Sequence, residues 1–228
     1  MRRRTILMLM AMAAMVVLVS GVALAKVVEG TNAGETLNGT INADLIKALG
    51  GNDIVNAKQA ADTLRGGDGN DEVHGENGND TYYGGSGDDN LTEWSGVTTP
   101  PTTGQGYTGA DVMYGGGGDD IVEGARGSDE LHGGNNSATP SMRGEQLYGD
   151  TGNDKLYGEG GPDRLEGDEG SDLMSGGDGA DLIQAVANET AGSQDTVNCG
   201  GGVDTVRANE NDIVAPDCEN VMRYPNPQ

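Results

Sequence analysis

A period of nine residues governs most of this chain and limits what it can fold into. The stretch GGDGNDEVHGENGNDTYYGGSGDDN, residues 66–90, repeats one phrase almost three times. With Gly66 as position one of a nine-residue row, the register runs unbroken through residues 30–92 and accounts, with later rows, for 17 rows in all. Such a repeat indicates a stack of small units and not a conventional globule. The later rows begin at residues 106, 140 and 190.

Two positions of the row keep their chemistry throughout. Position eight is Leu, Ile, Val, Met or Tyr in every row, from Leu37 to Val206. Position six is acidic in every row, which chance would not produce. The position-six acids are Glu35, Asp44, Asp53, Asp62, Asp71, Asp80, Asp89, Asp111, Asp120, Asp129, Glu145, Asp154, Asp163, Asp172, Asp181, Asp195 and Asp204.

The composition excludes the large hydrophobic core of a typical globular protein, because the chain has 41 Gly, one Trp and no Phe in 228 residues. Glycine accepts positive φ and close backbone approach, so the first half of a row predicts a turn. The last three residues predict a short strand with one apolar side chain inward. Two rows then make one coil, and stacked coils make an all-β parallel solenoid with a ladder of position-eight side chains inside.

The phrases GGDGNDEVH, GGSGDDNLT, GGGGDDIVE and GGDGADLIQ resemble the RTX, or hemolysin-type, calcium-binding nonapeptide GGxGxDxUx, in which U is apolar. The resemblance covers about residues 30–207. It implies an all-β parallel β-roll, a right-handed solenoid of nine-residue half-coils whose glycine-rich turns bind several Ca²⁺ ions. We expect this roll to span residues 26–207.

The resemblance also implies which residues hold calcium: position-six aspartates of one row and of the row two later, with carbonyls of the glycine turns. The best expected pairs are Asp71 with Asp89, Asp154 with Asp172, Asp163 with Asp181, Asp53 with Asp71, and Asp111 with Asp129. The full expected set is Asp53, Asp71, Asp80, Asp89, Asp111, Asp120, Asp129, Asp154, Asp163, Asp172, Asp181, Gly67, Gly69, Gly85, Gly87, Gly116, Gly118, Gly177 and Gly179.

Four rows in particular replace one or more turn glycines with other residues, and these rows begin GTNAGE, GTINAD, AKQAAD and PSMRGE. Their acids Glu35, Asp44, Asp62 and Glu145 are expected to cap turns or to face solvent instead. Elsewhere the metal is expected to be indispensable, because one buried Leu or Val per row contributes roughly 1.5 to 3 kcal/mol. Ordering nine residues costs on the order of 9 to 18 kcal/mol.

The net charge of −24 also favours a cationic partner. Nucleic acid is not expected, because the few Lys and Arg residues are scattered and form no basic face. Calcium suits such turns better than magnesium, which requires tighter octahedral geometry.

Residues 1–25 have the features of a secretory signal peptide: three arginines, the run TILMLMAMAAMVVLVSGV and the small-residue site ALA. A retained anchor helix is the alternative. Cleavage after Ala25 would remove three of 13 basic residues and no acidic one, leaving 10 against 37 and a charge of −27. We expect a secreted protein with no membrane contact after cleavage.

Cys199 and Cys218 are the only cysteines, and an oxidising compartment favours a disulfide between them. Free thiols or a metal pair are the alternative. Residues 208–228 are expected to form a C-terminal cap and tail, with Ile213, Val214 and Val221 as an apolar lid. Three loop insertions are expected near 93–105, 133–139 and 185–189; Trp94, in the first, covers an apolar edge or binds a surface or sugar.

No catalytic residue is predicted. His74 and His132 both fall on position nine, which is expected to face solvent, and lie several rows apart. The sequence therefore predicts a secreted calcium-binding repeat protein without catalytic activity. The alternatives are a calcium-dependent adhesive or structural cell-surface protein, with an unknown cell-surface or polysaccharide partner, and an exported hydrolase or toxin fragment.

Overall fold

Two parallel sheets of ten strands each form the molecule. The computed structural model describes residues 25–93, 108–135, 144–186 and 193–226, and within these ranges the regular structure is entirely β. The first sheet contains β1 (Val27–Glu29), β3 (Leu45–Gly50), β5 (Thr63–Asp68), β7 (Thr81–Ser86), β9 (Val112–Gly117), β12 (Glu130–Asn135), β15 (Lys155–Gly160), β17 (Leu173–Gly179), β19 (Thr196–Gly202) and β21 (Ile213–Val214).

The second sheet takes the alternate strands, so that each coil of the chain contributes one strand to each sheet. A small third sheet pairs β11 (Arg126–Gly127) with β14 (Thr151–Gly152). The strands of the second sheet are β2 (Thr36–Asn38), β4 (Ile54–Gln59), β6 (Glu72–Asn77), β8 (Asn90–Thr92), β10 (Ile121–Glu123), β13 (Gln146–Tyr148), β16 (Arg164–Glu166), β18 (Leu182–Ala185), β20 (Thr205–Asn209) and β22 (Asn220–Tyr224).

This architecture confirms the expected parallel β-roll. Position-eight residues two rows apart are paired neighbours, as Leu64 is with Tyr82. Their side chains fill the space between the sheets, and from Ile46 to Val206 each is 0% exposed. Because the row leaves only one large apolar side chain per strand for the interior, the core is a single ladder, supplemented by small residues such as Ala48 at position one.

The roll keeps its register across the insertions. Tyr82 pairs with Met113 as neighbouring rungs, although 31 residues separate them instead of the usual 18. The 13 extra residues equal the length expected for the insert at 93–105. Most of that insert, Trp94 included, lies outside the described residues, as do most of the other two inserts and residues 1–24.

The stack is longer than the sequence period indicates. β1 adds a rung before the first predicted row, and β21 and β22 add two rungs after residue 207, where the period is lost. Of the three expected lid residues only Val214 packs against the core, since Ile213 is 54% and Val221 38% exposed. The lid prediction was wrong for Ile213, which pairs with Thr196 and not with the buried Val197, and for Val221, which lies on β22, the last strand of the second sheet.

A disulfide joins Cys199 to Cys218 at this end of the roll. Cys199 is fully buried at position one of its row, where most rows have glycine. In the described ranges no helix is long and apolar enough to cross a membrane.

Candidate metal centre

The position-six carboxylates form a continuous ladder along the stack. In each step, the backbone N–H of one position-six residue donates to a side-chain oxygen of its counterpart in the next coil, as Asp53 does to Oδ1 of Asp71 at 2.8 Å. All five expected pairs are linked in this way. The remaining four bonds are Asp71 to Asp89 (2.8 Å), Asp111 to Asp129 (2.8 Å), Asp154 to Asp172 (2.8 Å) and Asp163 to Asp181 (2.9 Å).

The second oxygen of these carboxylates has a different environment. Apart from the half-buried Glu35, these residues are at most 4% exposed, yet along most of the ladder the second oxygen accepts no hydrogen bond from the part of the chain that the structure describes. A buried carboxylate oxygen without a donor is costly. The second oxygen accepts no hydrogen bond within the described ranges in residues that include Asp53, Asp62, Asp71, Asp80, Asp89, Asp111, Asp120, Asp129, Glu145, Asp154, Asp181 and Asp204.

Burial raises the pKa of ten of the ladder carboxyls far above the ordinary value. The backbone hydrogen bond from the preceding coil lowers each pKa, but desolvation outweighs it and neighbouring carboxylates add to the rise. In the absence of a cation, much of the ladder would therefore hold protons near neutral pH. The pKa is raised to about 6 for Asp71 and Asp181, to about 7 for Asp62, Asp80, Asp111, Asp120, Asp129 and Asp154, to about 8 for Asp89 and to about 9 for Glu145.

Position-one glycines leave an oxygen-lined space beside each carboxylate. A Cβ added to Gly66 would lie 2.3 Å from Oδ2 of Asp71 and 2.7 Å from the carbonyl oxygen of Gly84 in the next coil. At Gly176 the corresponding distances are 2.3 Å to Asp181 and 2.7 Å to the Cys199 carbonyl. Carboxylate and carbonyl oxygens converging on one space are the donor set of a hard cation, so the residues present fit Ca²⁺.

The carbonyls at position one were not singled out by the sequence, which directed attention to positions two and four. Glycines at those positions adopt positive φ, for example +122° at Gly67 and +125° at Gly87. The Gly67 carbonyl lies 2.0 Å from the place where a Cβ of Gly85 would be. The same close approach holds for Gly69 against Gly87 and for Gly85 against Gly116. These glycines are therefore required for stacking, whatever their carbonyls bind.

The expectation that acids of glycine-poor rows cap turns or face solvent was wrong for Asp62 and Glu145, and for Asp44 only the solvent alternative was wrong. Asp44 and Asp62 are 4% and 2% exposed and Glu145 is fully buried, because the ladder bond draws each into the stack as in any other row. The alternative expectation of turn capping is confirmed for Asp44, whose Oδ2 accepts the Thr40 backbone N–H at 2.6 Å. Glu35 likewise accepts the Thr31 N–H and is half-buried.

One acidic cluster was missed by the sequence analysis. A carboxylate oxygen from each of Asp80, Glu93 and Asp111 lies within 4.8 Å of the others, and all three side chains are buried. Oε1 of Glu93 accepts a hydrogen bond from the Tyr82 hydroxyl. Burial, followed by the charge of Asp111, raises the pKa of Glu93 to about 10. The sequence signal that could have revealed it is that Glu93 directly follows Thr92, where position one would fall if the period continued.

The two histidines lie on different sheets, His74 on β6 and His132 on β12. The expectation that both face solvent was wrong for His74, which is 1% exposed beside the equally covered Thr92. His74 contacts Glu72 at 3.1 Å, while His132 contacts Glu130 and Glu159. The two rings therefore cannot serve one reaction centre.

Stacked parallel half-coils that present a ladder of buried carboxylates define a β-roll with acid-lined turns. The chain belongs to the RTX calcium-binding nonapeptide repeat family. Four copies of the family model match residues 29–64, 58–91, 103–137 and 148–183, which together cover more than half of the chain. No curated protein matched the chain.

Proposed function

We propose that this protein is a secreted calcium-binding RTX-type protein whose β-roll folds when it binds several Ca²⁺ ions, and that it has no catalytic activity of its own. The observation that carries the proposal is the ladder of buried carboxylate oxygens without hydrogen-bond donors among the residues described. Calcium is the cation that the family implies, and the oxygen donors fit it.

A bound cation would remove the main electrostatic cost of the fold. Carboxylates of successive coils repel one another, and burial makes that repulsion stronger than in water. A dication between coils would turn the repulsion into attraction, and its binding free energy would become folding free energy. The proposed ligands are the second oxygens of the expected aspartates, such as Asp71 and Asp181, and the position-one carbonyls that face them.

Export from the cell is consistent with folding that depends on calcium. Residues 1–25 have the pattern of a signal peptide, and extracellular calcium modules commonly have dissociation constants of about 10⁻⁴ to 10⁻³ M. The chain would then stay unfolded where calcium is scarce and fold after it leaves the cell. The disulfide between Cys199 and Cys218 supports an oxidising destination.

The lack of catalytic activity is supported by the distribution of reactive groups. The carboxylates recur as a regular ladder instead of forming one distinct pair, and the histidines are on separate sheets. The repeat family is itself generally structural. No arrangement of a nucleophile with an adjacent base stands out among the residues described.

The column of aromatic rings on the first sheet does not favour a polysaccharide partner. Tyr83, Tyr114, His132 and Tyr157 stack on the first sheet with centroids 5.3, 4.7 and 4.8 Å apart. Arg65 covers the Tyr83 ring at 4.9 Å. Because the ring faces contact one another, they are not available to stack on sugar rings.

Circular dichroism during a calcium titration of the metal-free protein tests the proposal, with magnesium as the control cation. We expect calcium to convert a largely unstructured spectrum into a β-rich one, and magnesium at equal concentration to have much less effect. A spectrum that stays β-rich without any divalent cation would contradict the proposal.

A further inference from the structure

We propose that Asp80, Glu93 and Asp111 form a three-carboxylate calcium site that binds its ion more tightly than the other rungs of the ladder and releases it last. This inference rests on the proposed function, because it concerns the relative strength of one site within the calcium-binding ladder. It goes beyond the repeat pattern because Glu93 belongs to no nonapeptide row.

The geometry of this rung differs from the others at position one. In an ordinary rung a position-one carbonyl faces the carboxylate, as Gly84 faces Asp71. At this rung Glu93 follows β8 at the corresponding place and contributes a third carboxyl group, with an oxygen within 4.8 Å of both ladder carboxylates. Among the residues that the structure describes, this is the only group of three potential metal-ligating side chains.

The oxygens of this site are oriented toward one another and are cut off from water. The Glu93 side chain is 0% exposed, and its Oε2 accepts no hydrogen bond within the described ranges. The same holds for Oδ2 of Asp80 and of Asp111. A fully buried carboxylate oxygen directed at two others, without a donor, requires a cation or a proton.

Tyr82 provides independent evidence that this part of the interior is specialised. Within the described ranges it is the only aromatic residue of the hydrophobic core, and its hydroxyl donates to Oε1 of Glu93. A Cβ on Gly75 would lie 2.0 Å from that hydroxyl and 2.5 Å from Oδ2 of Asp80. The tyrosine therefore holds the Glu93 carboxylate against the ladder, as an outer partner orients a metal ligand.

The position of the site in the stack explains why stronger binding is useful there. Asp80 and Asp111 occupy successive coils but are separated by 31 residues, an interval that only Asp89 and Asp120 share among the ladder neighbours of the described ranges. A longer connection costs more entropy to close. An additional negative ligand raises calcium affinity, so the site would hold together the two parts of the roll on either side of the insert.

Isothermal titration calorimetry of the metal-free chain with calcium tests this assignment through Glu93→Gln, with Glu145→Gln as the matched control. Glu145 is also fully buried and also accepts one hydrogen bond, in its case from the Asp120 backbone N–H, but it lies outside the three-carboxylate group. We expect Glu93→Gln to weaken the tightest class of sites by about tenfold or more. Glu145→Gln should leave that class unchanged and affect only weaker sites.

The outcomes separate the two proposals. If the wild-type chain neither binds calcium nor folds with it, the proposed function fails. If it does both and Glu93→Gln retains the tightest class of sites, only the present inference is overturned. If Glu93→Gln retains the tightest class of sites and is also more stable than the wild type without metal, Glu93 holds a proton instead of contributing to a calcium site.

Terbium luminescence gives a second measurement that does not require the Glu93 variant to fold. In a Trp94→Phe background, the first equivalent of Tb³⁺ should be sensitised through Tyr82, and Tyr82→Phe should remove most of that emission. Emission from the first equivalent that is unchanged in Tyr82→Phe would place the tightest ion elsewhere and overturn the inference.

Discussion

The backbone N–H of Asp71 donates a hydrogen bond of 2.8 Å to Oδ1 of Asp89, 18 residues further along the chain. This bond fixes one oxygen of the Asp89 carboxylate in the stack and leaves Oδ2 buried without a donor among the residues described. One side chain thus has two separable roles: the first oxygen aligns successive coils, and the second creates the need for a cation.

Asp89→Asn should separate these roles. The amide oxygen can still accept the Asp71 N–H, while the amide nitrogen would lie near the Gly115 carbonyl, which shares the space beside Gly84 with Oδ2. Above about pH 8, where the raised pKa leaves the Asp89 carboxyl ionised, removing this buried charge relieves repulsion. There we expect the metal-free variant to be roughly 1 to 3 kcal/mol more stable than the metal-free wild type. Calcium should stabilise the variant less than it stabilises the wild type.

Urea denaturation with and without calcium measures both effects. Asp178→Asn is the control, because it removes the same charge from an exposed side chain. If both variants shift stability equally, the effect comes from net charge and not from the ladder.

The metal-free roll should become more stable as the pH falls. Folding raises the pKa of ladder carboxyls such as Asp71, Asp80 and Asp89 from about 3.9 in the unfolded chain to about 6, 7 and 8. The folded state therefore binds more protons, and stability is greatest below about pH 4 and is lost as the pH rises through 6 to 8. Circular dichroism in chelator across this range checks the direction; stability that rises with pH would contradict it.

Calcium binding should show the opposite dependence on pH. The same raised pKa values mean that protons compete with calcium for the ladder oxygens. We expect the apparent calcium affinity to fall as the pH is lowered from 8 to about 5. Calcium titrations at fixed ionic strength measure this, and an affinity independent of pH would show that the buried carboxylates do not take part.

Gly116→Ala and Gly117→Ala form a matched pair for testing the stacking geometry. Gly116 has φ of +117°, and a Cβ there would lie 2.3 Å from the Gly85 carbonyl oxygen. At Gly117 the nearest atoms are 3.9 Å away. We expect Gly116→Ala to destabilise the loaded roll by about 2 kcal/mol or more, and Gly117→Ala to stay within about 0.5 kcal/mol. Thermal unfolding in calcium compares them, and equal effects would contradict the argument.

Loss of the disulfide should loosen the C-terminal coil. Cys218→Ala removes the bond and leaves Cys199 buried in the core. The closed loop is short, so we expect a loss of about 3 kcal/mol. Hydrogen exchange should show the loss mainly in β19 to β22, while the rungs around Leu64 keep their protection. Uniformly faster exchange would indicate that the bond supports the whole roll.

The repeat itself made most of the fold predictable. A row with one apolar residue at position eight can bury it only by stacking, so the two sheets and the pairing of Leu64 with Tyr82 followed from the period. The ladder pairs followed for the same reason. The exposure of Asp44, Asp62 and Glu145 was misjudged, because the turn glycines do not determine whether an acid joins the ladder; the N–H of the preceding coil does.

The sequence alone determined the parallel roll, the length of the inserts and the acids of the 17 rows, since all of these depend on spacing along the chain. Only the tertiary structure decided that Asp212 and Glu219 continue the ladder after the period is lost, as acceptors for Asp195 and Asp204. It also decided that Glu93 meets Asp80 and Asp111. Those contacts depend on which segments of the backbone stack on one another. The nine-residue period predicts this stacking only where it is unbroken.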